Sequence, residues 1–177
     1  MIALRSWPRK EFHEGKAFGR VMGSMFHVGF LATLLFLVPH VLFFADISRG
    51  LFGTDLHGLT GLSWPTLPNG VVMLLSAISI AALVAVLVHR IISPVKRLIS
   101  NFDDYFSWFV TIAPLVTGMA AFAHLGGWPY ERLLAFHFLS AELLLVWFPF
   151  GKLMRAFTIF AARGSTGMLF ERKGASL

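Results

Sequence analysis

The chain has 177 residues, of which 56% are hydrophobic and 14% are charged, with a formal net charge of +6. A soluble domain carries about 25% charged residues, and the apolar residues here fall in long runs, so the composition indicates an integral membrane protein. The absence of cysteine excludes disulfides, thiolate-held Fe–S clusters, cysteine zinc sites and covalent c-type haem attachment. Any electron carrier that this chain holds must therefore be bound by histidine.

Four apolar runs, separated by basic or Gly- and Pro-rich segments, are each long enough to cross a bilayer, which takes roughly 20 residues. In the first run, Pro39 should kink the helix just before His40. The predicted segments are a basic interfacial segment (residues 1–20), spans over residues 21–45, 71–88, 105–124 and 130–150, a long loop over residues 46–70, and a basic cytoplasmic tail (residues 156–177). The spans predict one transmembrane domain over residues 21–155.

Lysine and arginine are distributed asymmetrically between the loops. The N-terminus, first loop, second link, last turn and tail carry 5, 1, 3, 1 and 5 of them, which accounts for all 15. Since basic residues favour the cytoplasmic side, both termini are predicted to be cytoplasmic. The basic residues flank apolar spans, so they indicate membrane topology rather than a nucleic-acid partner. The predicted fold is all-α, a four-helix transmembrane bundle.

Four histidines in or beside the spans are the main candidate site. His27 and His40 are 13 residues apart, as are His124 and His137. An ionisable side chain in hydrocarbon is costly and marks a functional site by default. Successive spans cross the membrane in opposite directions. His40 and His124 are then expected to pair near the outer face, and His27 and His137 to pair further in. The rise of ~1.5 Å per residue separates His27 and His40 by ~20 Å, which leaves room for two haems in series.

Two axial imidazoles from two helices produce a low-spin haem suited to electron transfer. A zinc ion would need ligands clustered at one depth, which this pattern lacks. Thirteen residues turn an ideal helix through ~1300°, so His27 and His40 point in different directions unless the kink at Pro39 corrects this. The histidines could instead be isolated polar residues bonded to neighbouring backbone.

Further residues accompany the four histidines. Arg20 and Arg132 are candidate partners of haem propionates, or simply snorkelling residues. His57, in the first loop, could replace His40 or His124 as the outer ligand. His89, at the inner boundary, is expected to be an interface residue or a propionate contact rather than an axial ligand.

A quinone site has three weaker candidates. Glu142 is the one acid in the interior of a span, and a carboxyl there is expected to be protonated or paired. It could relay protons or contact a quinone, or it could be a neutral residue bonded to a helix carbonyl. Trp64 and Trp128, in the two outward segments, are the other candidates for lining such a site.

Three short motifs resemble one known family. They are Phe26-His27-Val28-Gly29 opening a span, Ser93-Pro94 followed by basic residues, and HFLSAELLLVWFPFGK over residues 137–152. Over roughly residues 20–155 the chain resembles the gamma subunit of respiratory nitrate reductase. It also resembles related cytochrome b anchors of sulfite-reductase-linked, heterodisulfide reductase and some hydrogenase complexes.

The resemblance implies two b haems, one held by His27 and His137 nearer the cytoplasm and an outer one held by His40 and His124. It also implies quinone chemistry near the outer haem and electron exchange with a cytoplasm-facing Fe–S subunit.

These features predict a multi-pass cytochrome b subunit in the cytoplasmic (inner) membrane of a bacterium or archaeon. It would carry electrons in a respiratory chain between the quinone pool and a cytoplasm-facing redox partner, and would not be a complete enzyme alone. One alternative is a single-haem anchor of a succinate dehydrogenase- or hydrogenase-type complex. Another is a haem-free scaffold or small transporter subunit.

Overall fold

The computed structural model describes residues 13–55, 57–58, 61 and 63–172, and all regular structure within them is helical. The predicted all-α class is thereby confirmed. The helices are α1 (His13–Phe36), α2 (Val38–Phe52), α3 (Asn69–Ile92), α4 (Pro94–Leu98), α5 (Phe102–Phe122), α6 (Tyr130–Trp147) and α7 (Arg155–Arg172), with 3-10 turns at Leu125–Gly127 and Lys152–Met154.

Three helices in the described part of the chain are long and apolar enough to cross a membrane. They are α1 from Ala17 onward, α3 and α5, and α3 is the most apolar, with a mean hydropathy of 2.9. The fourth long hydrophobic helix, α6, carries Glu131, Arg132 and Glu142 within its 18 residues. The three helices are compatible with the expected membrane location.

The helices pack in antiparallel pairs. Helix α1 packs along α3, α5 packs along α6, and contact between α3 and α5 joins the two pairs. Along α1 and α3, Phe18 lies against His89 while Thr33 bonds Ser76, so the chain directions are opposed. Between α5 and α6, Trp147 bonds Ser107 at one end, and Thr117 bonds Ser140 further along.

Close approach of α1 to α3 depends on a glycine. A methyl group at Gly29 would lie 2.6 Å from the carbonyl oxygen of Leu75 and would overlap the hydroxyl of Ser79. Ser79 donates that hydroxyl to the Leu75 carbonyl at 3.0 Å and to the Phe26 carbonyl at 3.3 Å. Small residues and hydrogen bonds from hydroxyl groups are common at helix contacts in membranes. The contact of Gly29 with Leu75 and Ser79 therefore fixes the register of α1 on α3.

The buried apolar cluster lies between α3 and α5. Trp108 of α5 contributes to it and donates its indole N–H to the Leu83 carbonyl at 2.8 Å. The cluster contains Leu83, Ile112 and Leu115, with Phe26, Phe30, Ile80 and Trp108 packed against them. It therefore connects the two helix pairs through their middle.

Ion pairs connect three elements at the predicted inner end of the helices. Asp104, only 10% exposed, pairs with Arg90 at 3.1 Å and with Lys152 at 2.6 Å. Asp104 also completes a capping box with Asn101 at the start of α5. The end of α3, the start of α5 and the turn after α6 are thus joined at one carboxylate.

The first predicted span is two helices rather than one. Leu37 has extended backbone angles (φ −72°, ψ 129°) between α1 and α2. Pro39 has no N–H for the carbonyl four residues earlier, and its ring disfavours helical angles in the residue before it. Pro39 itself lies in the first turn of α2, where a helix tolerates a proline, and the kink falls two residues before it. Helix α2 then continues to Phe52, so the prediction that the loop begins at residue 46 is wrong.

The two ends of the chain are more helical than predicted. Helix α1 already begins at His13, within the predicted interfacial segment, and α7 covers most of the predicted tail. Residues 1–12 of that segment and residues 173–177 of the tail lie outside the described residues.

Candidate histidine pair between α2 and α6

The structure brings together two of the four candidate histidines, His40 on α2 and His137 on α6. Their ring centroids are 5.9 Å apart and their planes are within 16° of parallel. Phe43, three residues after His40, contacts Phe138, the residue after His137, with centroids 6.3 Å apart. Helix α2 therefore reaches α6 and places two half-buried imidazoles next to each other with their planes nearly parallel.

The helix break positions His40. Its Nδ1 donates to the carbonyl of Thr33 at 2.9 Å, although the two residues are seven apart. Along a straight helix they would be separated by about 10 Å. The Thr33 carbonyl is available because the amide of Leu37, its regular helical donor, lies at a weak 3.4 Å. Because of the break, the Thr33 carbonyl can accept from His40. In an intact helix the Leu37 amide would occupy that carbonyl.

Helix α5 positions His137. The Nδ1 of His137 donates to the carbonyl of Pro114 at 3.1 Å. The hydroxyl of Thr117 lies 3.4 Å from the same nitrogen and 2.9 Å from the hydroxyl of Ser140. Gly118 makes room for the ring, since a methyl group there would lie 2.9 Å from Cε1 of His137.

These bonds determine which ring nitrogen can bind a metal. A carbonyl oxygen can only accept, so Nδ1 of each ring carries the proton, and the neutral imidazole keeps a lone pair on Nε2. The same type of bond orients histidines that ligate metals. Nε2 of each ring is therefore the nitrogen left to bind a metal.

The donor set fits a haem better than a free metal ion. Among the described residues, no group of three or more His, Cys, Asp or Glu side chains could hold an ion. A haem supplies four equatorial nitrogens itself and requires only two axial ligands from the protein. The pair of His40 and His137 offers two such ligands.

His27 and His124 lie apart from this pair. His27 is exposed on α1, where its Nδ1 bonds the Gly23 carbonyl at 2.6 Å and its ring contacts Phe26. His124 follows α5 with a left-handed φ of 49° and contacts Tyr130, with centroids 5.3 Å apart. Neither ring contacts another histidine in the described structure. The grouping thus differs from the expected pairs, His40 with His124 and His27 with His137.

The two arginines lie at different ends of the helices. Arg20 is half-buried on α1, and Arg132 is exposed in the first turn of α6. No ion pair of either side chain is found in the described structure. Both guanidinium groups are therefore available to an anionic group.

The remaining two histidines have surroundings of their own. His57 is exposed in the loop between α2 and α3. His89 accepts a hydrogen bond from Lys96 at 3.0 Å and stacks on Phe18, with centroids 4.7 Å apart. Among the described residues, neither His57 nor His89 contacts another histidine, and the expected role of His89 at the interface stays a prediction.

The three quinone candidates do not share one site. Trp64 donates its indole N–H to the Leu35 carbonyl at 2.6 Å, so that donor is already used. Trp128 is 53% exposed and contacts Phe136 beside an open apolar hollow of about 290 Å³. Glu142 is exposed on α6, with no hydrogen bond or ion pair found in the described structure. Of the three, Trp128 borders a hollow.

Sequence reasoning missed the residues that orient the two rings. Thr33, Pro114, Thr117 and Gly118 carry no ligand chemistry of their own. The signal that could have found them is the position of Pro39 and Pro114 within apolar runs, because a proline there alters the hydrogen bonding of nearby carbonyls. Gly118, close to Pro114 in the same run, was a second such signal.

Comparison with known proteins adds one relative. A curated protein of Nitratidesulfovibrio vulgaris (strain Hildenborough), called only "Protein", is 33% identical over 154 residues, which are 86% of this chain. The chain spans 62% of the length of that relative. No family model matches the chain, and no solved structure matches it.

Proposed function

We propose that the chain is a membrane cytochrome b subunit that transfers electrons between the quinone pool and a cytoplasm-facing redox partner. A b haem bound by His40 and His137 is the centre of this proposal. The observation that carries it is the near-parallel pair of rings 5.9 Å apart, each with Nδ1 bonded to a backbone carbonyl. An Fe–S protein is the proposed partner.

The proposed membrane arrangement is a four-helix bundle with both termini in the cytoplasm. Helix α6 is the fourth span, since it returns antiparallel to α5 and its first-turn charges, Glu131 and Arg132, would lie at the outer interface. The Lys- and Arg-poor segments then face outward. The ion pairs of Asp104 with Arg90 and Lys152 lie at the cytoplasmic end.

In this arrangement the protein's own groups perform three tasks. The Thr33 and Pro114 carbonyls orient the two imidazoles and increase the basicity of their Nε2 atoms. The apolar helix faces keep water from the site, and Arg20 or Arg132 would neutralise propionates. A bound haem b supplies a one-electron carrier. Quinone would bind as a diffusible substrate.

The number of haems separates two versions of the proposal. Two haems require four axial ligands, so His27 and His124 would also have to become ligands. A single-haem anchor, of the succinate dehydrogenase or hydrogenase kind, requires only the pair of His40 and His137. The single-haem anchor is the second candidate function. It is supported by the one pair of neighbouring imidazoles in the described structure.

The test is a reduced-minus-oxidised spectrum of the purified chain with a pyridine haemochrome count. We expect at least one b haem per chain, lost in His40→Gln and in His137→Gln. Matched controls are His57→Gln and His89→Gln, which should keep the haem.

Loss of a second haem in His27→Gln or His124→Gln would identify the two-haem version. A purified, folded chain without any haem absorption would contradict the proposal and leave the haem-free scaffold or transporter subunit.

A further inference from the structure

The break between α1 and α2 leaves backbone carbonyls that the following loop satisfies. In a continuous helix, the amide of residue 39 would donate to Leu35, but residue 39 is proline. The indole N–H of Trp64 donates to the Leu35 carbonyl instead, at 2.6 Å. The next carbonyl, of Phe36, accepts from the amide of Leu67 at 3.0 Å. Residues 64–67 thus take the place of two missing helical donors.

Satisfying these carbonyls stabilises the break. A carbonyl left without a donor away from water costs about 1–3 kcal/mol. Because residue 39 is proline, a straight helix would leave the Leu35 carbonyl without a donor, whereas at the break Trp64 supplies one. The bond from Trp64 crosses 29 residues of sequence to reach α1. The bond therefore connects the loop to the break between α1 and α2, and it does not cap the segment that contains Trp64.

The break in turn sets the orientation of His40. Leu37 is extended, so the Thr33 carbonyl is only weakly engaged by its regular amide donor and accepts from Nδ1 of His40. We propose that Trp64 is a positioning residue for His40: its bond to Leu35 maintains the break that holds the imidazole with Nε2 free for a ligand. The identity of that ligand as haem rests on the proposed function, whereas the positioning does not.

An interfacial tryptophan without such a role is the competing explanation. Trp64 is 40% exposed, and an amphipathic ring of this kind often anchors a loop at the membrane surface. Trp128 offers the matched control, since it is also exposed in an outward segment. No hydrogen bond of its indole N–H is found in the described structure.

The experiment replaces Trp64 in the full chain, held in lipid nanodiscs after purification from haem-depleted cells. Trp64→Phe keeps an aromatic ring and removes the N–H. A second variant carries benzothienylalanine, in which sulfur replaces the indole N–H and the shape is retained, in case Trp64→Phe does not fold. Trp128→Phe is the control.

The first readout is the tautomer of His40, measured by ¹⁵N NMR of histidine-labelled chain and assigned with His40→Gln. We expect protonation at Nδ1 in the native chain and a mixture of both tautomers in the two Trp64 variants. The Trp128 control should match the native chain. An unchanged His40 tautomer in a folded Trp64 variant would overturn the proposal, whether or not the chain binds haem.

The second readout is haem titration into the same samples, followed by electron paramagnetic resonance of the oxidised form. We expect haem affinity to fall about tenfold in the Trp64 variants, at the lower end of the range for groups that orient a metal ligand. The largest g value should shift, because it depends on the angle between the two imidazole planes. Failure of the native chain to bind haem would contradict the proposed function, while the tautomer measurement would still decide the role of Trp64.

Discussion

A methyl group at Gly118 would lie 2.9 Å from Cε1 and 3.1 Å from Nδ1 of His137, so the His137 ring rests directly on the backbone of α5. Most glycine-to-alanine changes within a helix are stabilising, by up to about 1 kcal/mol. At Gly118 the added methyl must displace the imidazole. The glycine therefore defines the position of His137 as much as its hydrogen bonds do.

We predict that Gly118→Ala weakens the site while the chain still folds. The ring must move by several tenths of an ångström, which lengthens the bond to the Pro114 carbonyl. Haem binding to the purified variant should fall about tenfold or more, as for other changes around metal ligands. Gly23→Ala is the control, because nothing lies within 4 Å of a methyl group there. Equal haem binding in the two variants would contradict the prediction.

Gly29→Ala should loosen the contact between α1 and α3. Its methyl would lie 2.6 Å from the Leu75 carbonyl oxygen, and backbone cannot rotate away as a flexible side chain can. We expect a loss of about 1–3 kcal/mol in the free energy of unfolding, as for other overpacked contacts. Unfolding in mixed micelles would measure it. Gly19→Ala, with open space around it, should be neutral or slightly stabilising.

Asp104→Asn should destabilise the end of the helices at which α3, α5 and the turn after α6 meet. The change leaves Arg90 and Lys152, which are 32% and 31% exposed, without their common partner. Because both cations retain access to water, we expect about 1–3 kcal/mol, less than for a fully buried pair. Asp46→Asn removes an exposed pair with Arg49 and should cost well under about 1 kcal/mol. Thermal unfolding of both variants tests this, and equal effects would refute it.

Asp55, in the loop after α2, should make that loop sensitive to acid. The backbone N–H of Gly58 and then the guanidinium of Arg49 lower the pKa of Asp55 below its usual value. A carboxyl with a lowered pKa stabilises the folded loop above its unfolded pKa and loses that contribution as pH falls through the folded pKa. Carboxyl ¹³C shifts of Asp55 should titrate below the usual pKa of an aspartate. In Arg49→Gln the titration should move upward, and an unmoved midpoint would contradict the assignment.

Much of the secondary structure could be predicted from the apolar runs. Predicted spans over residues 71–88, 105–124 and 130–150 coincide closely with α3, α5 and α6, because long, largely apolar runs leave a helix as the way to satisfy the backbone. Pro39 also revealed that the first span bends. Its effect on Leu37, and the continuation of α2 to Phe52, could not be read from the run itself.

Which histidines meet was decided by the tertiary structure. Composition and spacing marked His27, His40, His124 and His137 as unusual, since ionisable groups in apolar runs are costly. Depth counting along straight helices cannot foresee that a break at Leu37 turns α2 toward α6, or that Gly118 lets His137 settle on α5. The sequence by itself determined an all-helical chain with membrane-length helices and four notable histidines. The pairing of His40 with His137 depended on packing, because contacts between residues far apart in the chain set the direction of each ring.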